Sequence, residues 1–398
     1  MIHRTDVWHT GPGTTAGQYL RLFWQPIHLS RDVEPGRAAP IRIMSEELTL
    51  YRGKEGEPHL LDERCAHRGT RLSLGWVEGD AIRCMYHGWK YAPTGQCIEQ
   101  PGEPQPFCEK IKIRSYPVRD YLGIIWAYLG EGASPEFPRF ERFEAPGVKV
   151  ISNAEFSYFN YFQRMENSHD FSHLPFVHQH AFTSPVASRS LDNAVPRMKS
   201  EECEWGIRTR RSDPNGQELI AYFGMPNINY IMSGSPGTES IAGSDSLFIR
   251  VPVDDEHHLH FGLVLASKNN SEGTQAYSIK YGSEPIQVND KERSELVDAV
   301  IAGKVHIDEI AYPERARHSV KLTDIERFWV QDNVAMLGQG VQWDRQNEHL
   351  GREDAGVILM RKLWARELDA LANGRPLKEW HRSAEMVPTV VSRPHAHR

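Results

Sequence analysis

With 398 residues of ordinary globular composition and a net charge of −7, the chain has material for about two or three domains and no basic surplus to hold nucleic acid or an anionic membrane. The N-terminus carries no apolar signal segment, and no stretch approaches the ~18 apolar residues of a membrane span, so a cytoplasmic protein is expected. Its five cysteines show no spacing that suggests a disulfide framework, in keeping with a reducing compartment.

Residues 18–24 read as a short helix or strand. Two runs alternating at period two, 39–44 and 48–53, follow in the manner of a hairpin. Short strands punctuated by Gly69, Gly75, Gly79, Gly88 and Gly95 continue to about residue 130, and the apolar run 122–129 reads as a buried closing strand. An all-β domain is expected here.

Within that domain stand Cys65 and His67 and, after sixteen intervening residues, Cys84 and His87. Two thiolates and two imidazoles suit tetrahedral zinc. Zinc fingers, however, usually take both cysteines from one turn and both histidines from a helix, whereas each loop here supplies one of each. Gly69 lies two residues after His67, and Gly88 directly follows His87. Two Cys on one iron and two His on the other is the ligand set of a Rieske [2Fe–2S] centre, and the loop pattern favours it over zinc. Respiratory Rieske proteins carry a clamping disulfide near the places occupied here by Thr70 and Trp89. The pattern is therefore similar to the soluble oxygenase and ferredoxin type. Arg64, Arg68 and Arg71 flank the first loop, either as a solvated rim or as a docking face for an acidic electron donor.

From 131 to 147 the chain is rich in Pro, Gly and Glu, which marks a boundary. Beyond it an aromatic run, 156–162, leads into Asn167, Asp170, His173 and His178. Residues 203–265 read as antiparallel strands, 290–302 and 323–373 as helices, and 382–398 as a polar tail. The expected fold is α+β: an N-terminal segment 1–40 packing on the catalytic domain, an all-β Rieske domain 41–135, and a catalytic domain 148–381 whose antiparallel sheet is flanked by helices.

Asn167, Asp170 and His173 are three apart, so on a helix they share one face. Five further residues rotate about 140° on a regular helix, which aims His178 elsewhere. Pro175 removes a helical N–H and restricts Leu174, so a break there can return both imidazoles to one metal. His169 and His180 are then extras rather than ligands. Two His and one carboxylate form the facial triad of non-haem Fe(II) oxygenases. Asp332 is the favoured carboxylate because it shares an apolar helical face with Phe328, Ala335, Met336 and Gln339, an expensive place for a charge unless it is paired or metal-bound. Asp324 and Glu326 sit instead at the helix start, where acidic residues suit the dipole.

With both constellations in hand, from about Tyr19 to Gly374, the chain resembles the catalytic α subunit of the Rieske non-haem iron ring-hydroxylating oxygenases, most nearly the phthalate dioxygenase branch. The resemblance implies a Rieske cluster on Cys65, His67, Cys84 and His87 and a mononuclear Fe(II) on His173, His178 and Asp332. It gives Asp170 and Asn167 catalytic roles, with Asp170 bridging His173 to His87 of a neighbouring subunit. It also implies a homo-oligomer, a trimer or stacked trimers, and a flavin and iron–sulfur reductase through which NADH supplies electrons. The activity implied is mono- or dioxygenation of an aromatic, carboxylated substrate. O- or N-demethylation is the alternative, and Arg208 stands where branch members place a carboxylate-binding Arg. A Rieske electron-transfer module is the rival of another class, but it would leave the second His, His and Asp set without a purpose; a zinc-binding module is the third reading, which a visible spectrum decides, since a Rieske centre is coloured and zinc is silent.

Overall fold

The computed structural model describes residues 6–178, 180–181, 197–212, 218–231, 245–267, 290–340 and 345–382; the tail beyond 382 lies outside them. Helix α1 (Thr15–Arg21) is N-capped by the Thr14 hydroxyl, which accepts from Gly17 N at 3.2 Å. The chain then extends as β1 (Trp24–Leu29), so residues 18–24 divide between both states. β2 (Ala38–Ile43) and β3 (Glu46–Arg52) form the expected hairpin. β4 (Pro58–Asp62) continues that sheet, and β5 (Trp76–Glu78), β6 (Ala81–Arg83), β7 (Lys90–Tyr91) and β8 (Cys97–Glu99) build a second one. β9 (Ser115–Tyr116) closes the first sheet, and β10 (Val118–Tyr121) leads to β11 (Ile124–Tyr128). β11 is not a closing strand. It lies between β1 and β10 with all its side chains buried, because an uninterrupted apolar run can be covered on both faces.

Seven antiparallel strands follow: β12 (Val148–Ser157), β13 (Arg197–Glu202), β14 (Gly206–Ser212), β15 (Glu218–Gly224), β16 (Ile228–Ile231), β17 (Ser246–Pro252) and β18 (His258–Ser267). Their order in the sheet is β12-β18-β17-β16-β15-β14-β13. The helices are α2 (Tyr161–His169), α3 (Leu174–Val177), α4 (Asp290–Ile301), α5 (Ile307–Ala311), α6 (Asp324–Gly338) and α7 (Ala355–Ala372). The helical stretch expected at 323–373 is thus two helices, interrupted beyond Gly338. Among the described residues no helix is long and apolar enough to cross a membrane.

Strand alternation decides what faces the helices. Ile207, Phe223, Asn229, Phe248 and Gly262 stand directly opposite one another across the sheet and share one face. Helix α2 lies on that face, since His169 packs on Phe223 and Arg250, two residues after Phe248, donates to Ser168. Arg208 belongs to the other row, with Tyr222, Tyr230, Leu247 and Leu263. That other face packs toward β1, where Ile27, Trp126, Leu247 and Leu263 join one core. α1 meets α7 through Tyr19 and Trp364, whose rings are 5.4 Å apart.

Candidate metal centres

The two Cys/His loops share one backbone frame. Cys65 N–H donates to the carbonyl of Thr70 at 3.0 Å and Gly69 N–H donates to the carbonyl of Cys65 at 2.9 Å; Cys84 bonds Trp89 and Gly88 in the same way at 2.8 and 3.1 Å. Both glycines hold φ of +74°, a conformation that side chains resist, which is why each loop carries Gly four residues after its Cys. Cys65 and Cys84 are buried, whereas His67 and His87 lie at the domain tip with rings 4.5 Å apart. His67 stacks on Trp89, and its buried Nδ1 meets no hydrogen-bond partner among the described residues. Tyr91 Oη lies 3.3 Å from Cys65 Sγ. Burial, with Cys65 beside it, pushes the Cys84 thiol up. Crowded thiols and an unmet imidazole nitrogen are what a cationic cluster would satisfy. Of the flanking arginines, Arg64 and Arg71 pair with Glu47 at 2.5 and 3.2 Å, and Arg68 lies over the Tyr86 ring.

At the second centre one expectation needs correction. Asn167, Asp170 and His173 do not share a single helix. α2, capped by Asn160, stops at His169, Asp170 is extended, and His173 opens α3. The break therefore precedes Pro175, which sits in the first turn of α3, where its missing N–H costs nothing. The result is nonetheless convergent. Ligand atoms of His173, His178 and Asp332 all lie within 4.8 Å of one another. α6 brings Asp332 in on its buried face, and its start is fixed by a capping box between Thr323 and Glu326.

Each donor is individually held. His178 Nδ1 donates to Gln331 Oε1 at 3.2 Å, and its ring stacks on Phe328 at 3.5 Å. That leaves Nε2, 3.1 Å from Asp332 Oδ1 but without hydrogen-bond alignment. His173 Nε2 is 3.6 Å from the same oxygen, and its Nδ1 points to Asp170 Oδ2 at 3.7 Å. Asp170 is itself fixed by Ser172 N–H, which donates to Oδ1 at 2.8 Å. Asn167 Nδ2 lies 3.4 Å from both His173 Nε2 and Asp332 Oδ1. Burial pushes the Asp332 carboxyl up, but the guanidinium of Arg164 and the two imidazoles outweigh it and hold the group well below the usual range. The unpartnered Nε2 of His178 and the Nε2 of His173, both facing one ionised carboxylate, fit a divalent cation.

Arg164 is the functional neighbour that motif reading missed. Its Nη1 donates to Asp332 Oδ2 at 2.9 Å. The signal was available, because Arg164 precedes Asn167 by three residues on the same helical face. His169 is buried against Phe223, and His180 Nε2 bonds Tyr312 Oη at 2.8 Å, so neither joins the group. Arg208 is not brought to it either: it lies on the opposite face of the sheet and donates to Glu201 at 2.6 Å, beside a surface groove of about 520 Å³.

The chain is also similar to known proteins. Residues 23–117 match the model of the Rieske [2Fe-2S] domain. The chain is 31% identical over 386 residues to the phenoxybenzoate dioxygenase subunit alpha of Ectopseudomonas oleovorans, covering 91% of this chain and 84% of that one. It is 28% identical to the 5,5'-dehydrodivanillate O-demethylase oxygenase subunit of a Sphingobium species, covering 92% and 80%. In fold it is similar to Pseudomonas putida CBB5 NdmA, with a TM-score of 0.61 at 20% identity over 90% of this chain and 94% of that one. The zinc and electron-transfer alternatives fall with these matches, which extend through both centres. The chain belongs to the Rieske non-haem iron oxygenases and is an oxidoreductase carrying a Rieske cluster and a mononuclear iron.

Proposed function

We propose that the chain is the oxygenase component of a system that hydroxylates an aromatic, carboxylated substrate, with O2 as co-substrate and electrons drawn from NADH by a separate reductase. The observation that carries the reading is the buried convergence of His173, His178 and Asp332 beside Asp170. Cys65, Cys84, His67 and His87 would hold the cluster, and His173, His178 and Asp332 the iron. When bound, these groups supply single-electron transfer and O2 activation. The chain's own residues do the rest. Gln331 fixes the tautomer of His178, Arg164 fixes the orientation of Asp332, and Asp170 receives the Nδ1 side of His173. Phe328 stacks on one side of His178, which is fully buried.

The carboxylated aromatic class is supported by relatives named for phenoxybenzoate, phthalate and 3-chlorobenzoate. O-demethylation is the second reading, supported by the relative named as an O-demethylase. A homo-oligomer in which the tip of one subunit meets Asp170 of the next is supported by the exposure of Trp76, Met85 and Tyr86 around the Cys/His loops. Five free cysteines support a cytoplasmic location. The test is oxygen uptake with NADH, a flavin and iron–sulfur reductase and a panel of aromatic acids and methoxyarenes, with product identification. Hydroxylated acid supports the first reading, and formaldehyde release with a free phenol supports the second. NADH oxidation without substrate-dependent product on any of them overturns both.

A further inference from the structure

We propose that Arg250 is the anchor for the substrate carboxylate, an anion site on the sheet beside the iron-binding group. The inference rests on the oxygenase reading above and assigns the charge recognition to a residue of β17. Arg250 sits in an otherwise apolar strand and is 3% exposed. Its Nη2 donates to Ser168 Oγ at 2.7 Å, while Nε and Nη1 meet no acceptor among the described residues. Buried N–H groups without acceptors cost desolvation energy, and a buried charge without a counter-ion costs more. A fold that retains such a group leaves a place for an anion.

The surroundings sharpen this. Directly across the sheet from Arg250 stands His260, whose Nδ1 accepts from Arg164 Nε at 3.5 Å. Arg164 in turn bonds Asp332. Burial and the like charge of Arg164 both disfavour the Arg250 cation, and the carboxylate that favours it is Asp332. Two buried guanidinium groups thus lean on one carboxylate, which Arg164 already holds and which the iron would also use. A divalent iron adds more positive charge than Asp332 and the outlying Asp170 together offset. A substrate carboxylate supplies negative charge, and its two oxygens match the guanidinium fork. The aromatic body of that substrate has a neighbour in Phe248, whose ring centroid is 5.5 Å from the Arg250 guanidinium carbon. Arg208, on the other face and paired with Glu201, has no such relation to the centre.

The experiment compares wild type, Arg250→Met and Arg250→Lys as purified, metal-analysed holoenzymes. The probes are 3-phenoxybenzoate, phthalate and 3-methoxybenzoate, each beside its carboxamide. Equilibrium binding by calorimetry and KM from oxygen uptake are both measured. The expected result is that the acid-over-amide preference falls tenfold or more in Arg250→Met, in Kd and in KM, with partial recovery in Arg250→Lys. Equal weakening of acid and amide, or an unchanged preference, overturns the anchor. If Arg250→Met fails to fold, Arg250→Lys carries the test through the same ratio. Failure of the underlying reading is separable. A wild-type enzyme that oxidises only neutral arenes removes the anchor and keeps the oxygenase. One that binds acids through Arg250 but oxidises nothing keeps the anchor and removes the proposed reaction.

Discussion

Arg164 Nη1 bonds Asp332 Oδ2 at 2.9 Å, which leaves Oδ1 as the oxygen turned toward His178 Nε2 at 3.1 Å and His173 Nε2 at 3.6 Å. One carboxylate is therefore placed to serve two cations, the fixed one from α2 and, as proposed above, a removable iron. Removing one partner of a buried pair typically costs about 3–5 kcal/mol, because the remaining charge is uncompensated. Arg164→Met should lose stability of that order in the iron-free protein and distinctly less in the Fe(II)-loaded protein, where the metal supplies the missing charge. Urea unfolding of both forms measures this, and equal losses in the two would show that Arg164 and iron do not share the carboxylate.

His173→Ala, His178→Ala and Asp332→Ala should each abolish retention of the mononuclear iron while the visible Rieske spectrum persists, because the two centres share no residue. Gln331→Leu acts one step removed. It leaves His178 Nδ1 without its acceptor and should weaken iron binding by roughly 10–100-fold, the usual effect of losing a residue that orients a metal ligand. Iron analysis after dialysis against a chelator reads all four, and loss of the cluster colour in any of them counts against separate centres.

Acidity should gate iron loading through His173. Burial pulls its imidazole down, but Asp170, with Oδ2 at 3.7 Å, and Asp332 lift it above the ordinary value. A raised value in the fold means that protonated His173 stabilises the iron-free protein fully below about pH 6.5, and that this stability is lost as pH rises through the raised value. Iron needs the neutral ring, so Fe(II) affinity falls as pH drops through that same value. Asp170→Asn removes the largest lifting influence and should move the midpoint of iron loading to lower pH. Chelator competition across about pH 5–8 locates the midpoint, and no movement would separate Asp170 from His173.

Much of this was legible because the chemistry is carried by close spacing. The two Cys/His loops, with Gly69 and Gly88 at matched positions, and the pair His173 and His178 declare themselves within short windows. Asp332 needed one more step, an acidic residue on an apolar helical face. The break before His173 was misplaced, because Pro175 looked like the cause of a kink that Asp170 to Ser172 had already made. Arg208 was misread for a different reason. Which face of a strand meets the helices depends on registers across seven strands, and a single residue's parity separates Arg208 from the row that holds Phe248 and Arg250. A local window contains no such information. Arg250 did leave a trace, a charge in the middle of an apolar strand, but that its Nε and Nη1 meet no acceptor among the described residues is a tertiary fact.

The remaining prediction concerns the path of electrons between subunits. Among the described residues Asp170 is about one-third exposed while its partner His173 is nearly buried. At the other centre His67 and His87 lie at the domain tip, with Met85, Tyr86 and Trp76 exposed around them. If the tip of one subunit docks beside Asp170 of the next, electrons cross an interface and a single chain is not the working unit. Cys84→Ser should lack the cluster, and Asp332→Ala should lack the catalytic iron. Co-expressed with different tags and purified in tandem, they form mixed oligomers in which some intact tips face intact irons. Turnover well above that of either parent is expected. Metal analysis and chromatography must confirm that each parent retains its other centre and its assembly. With those controls in place, complete inactivity of the mixed oligomers means that transfer runs within each chain, because no subunit in the mixture then holds both working centres.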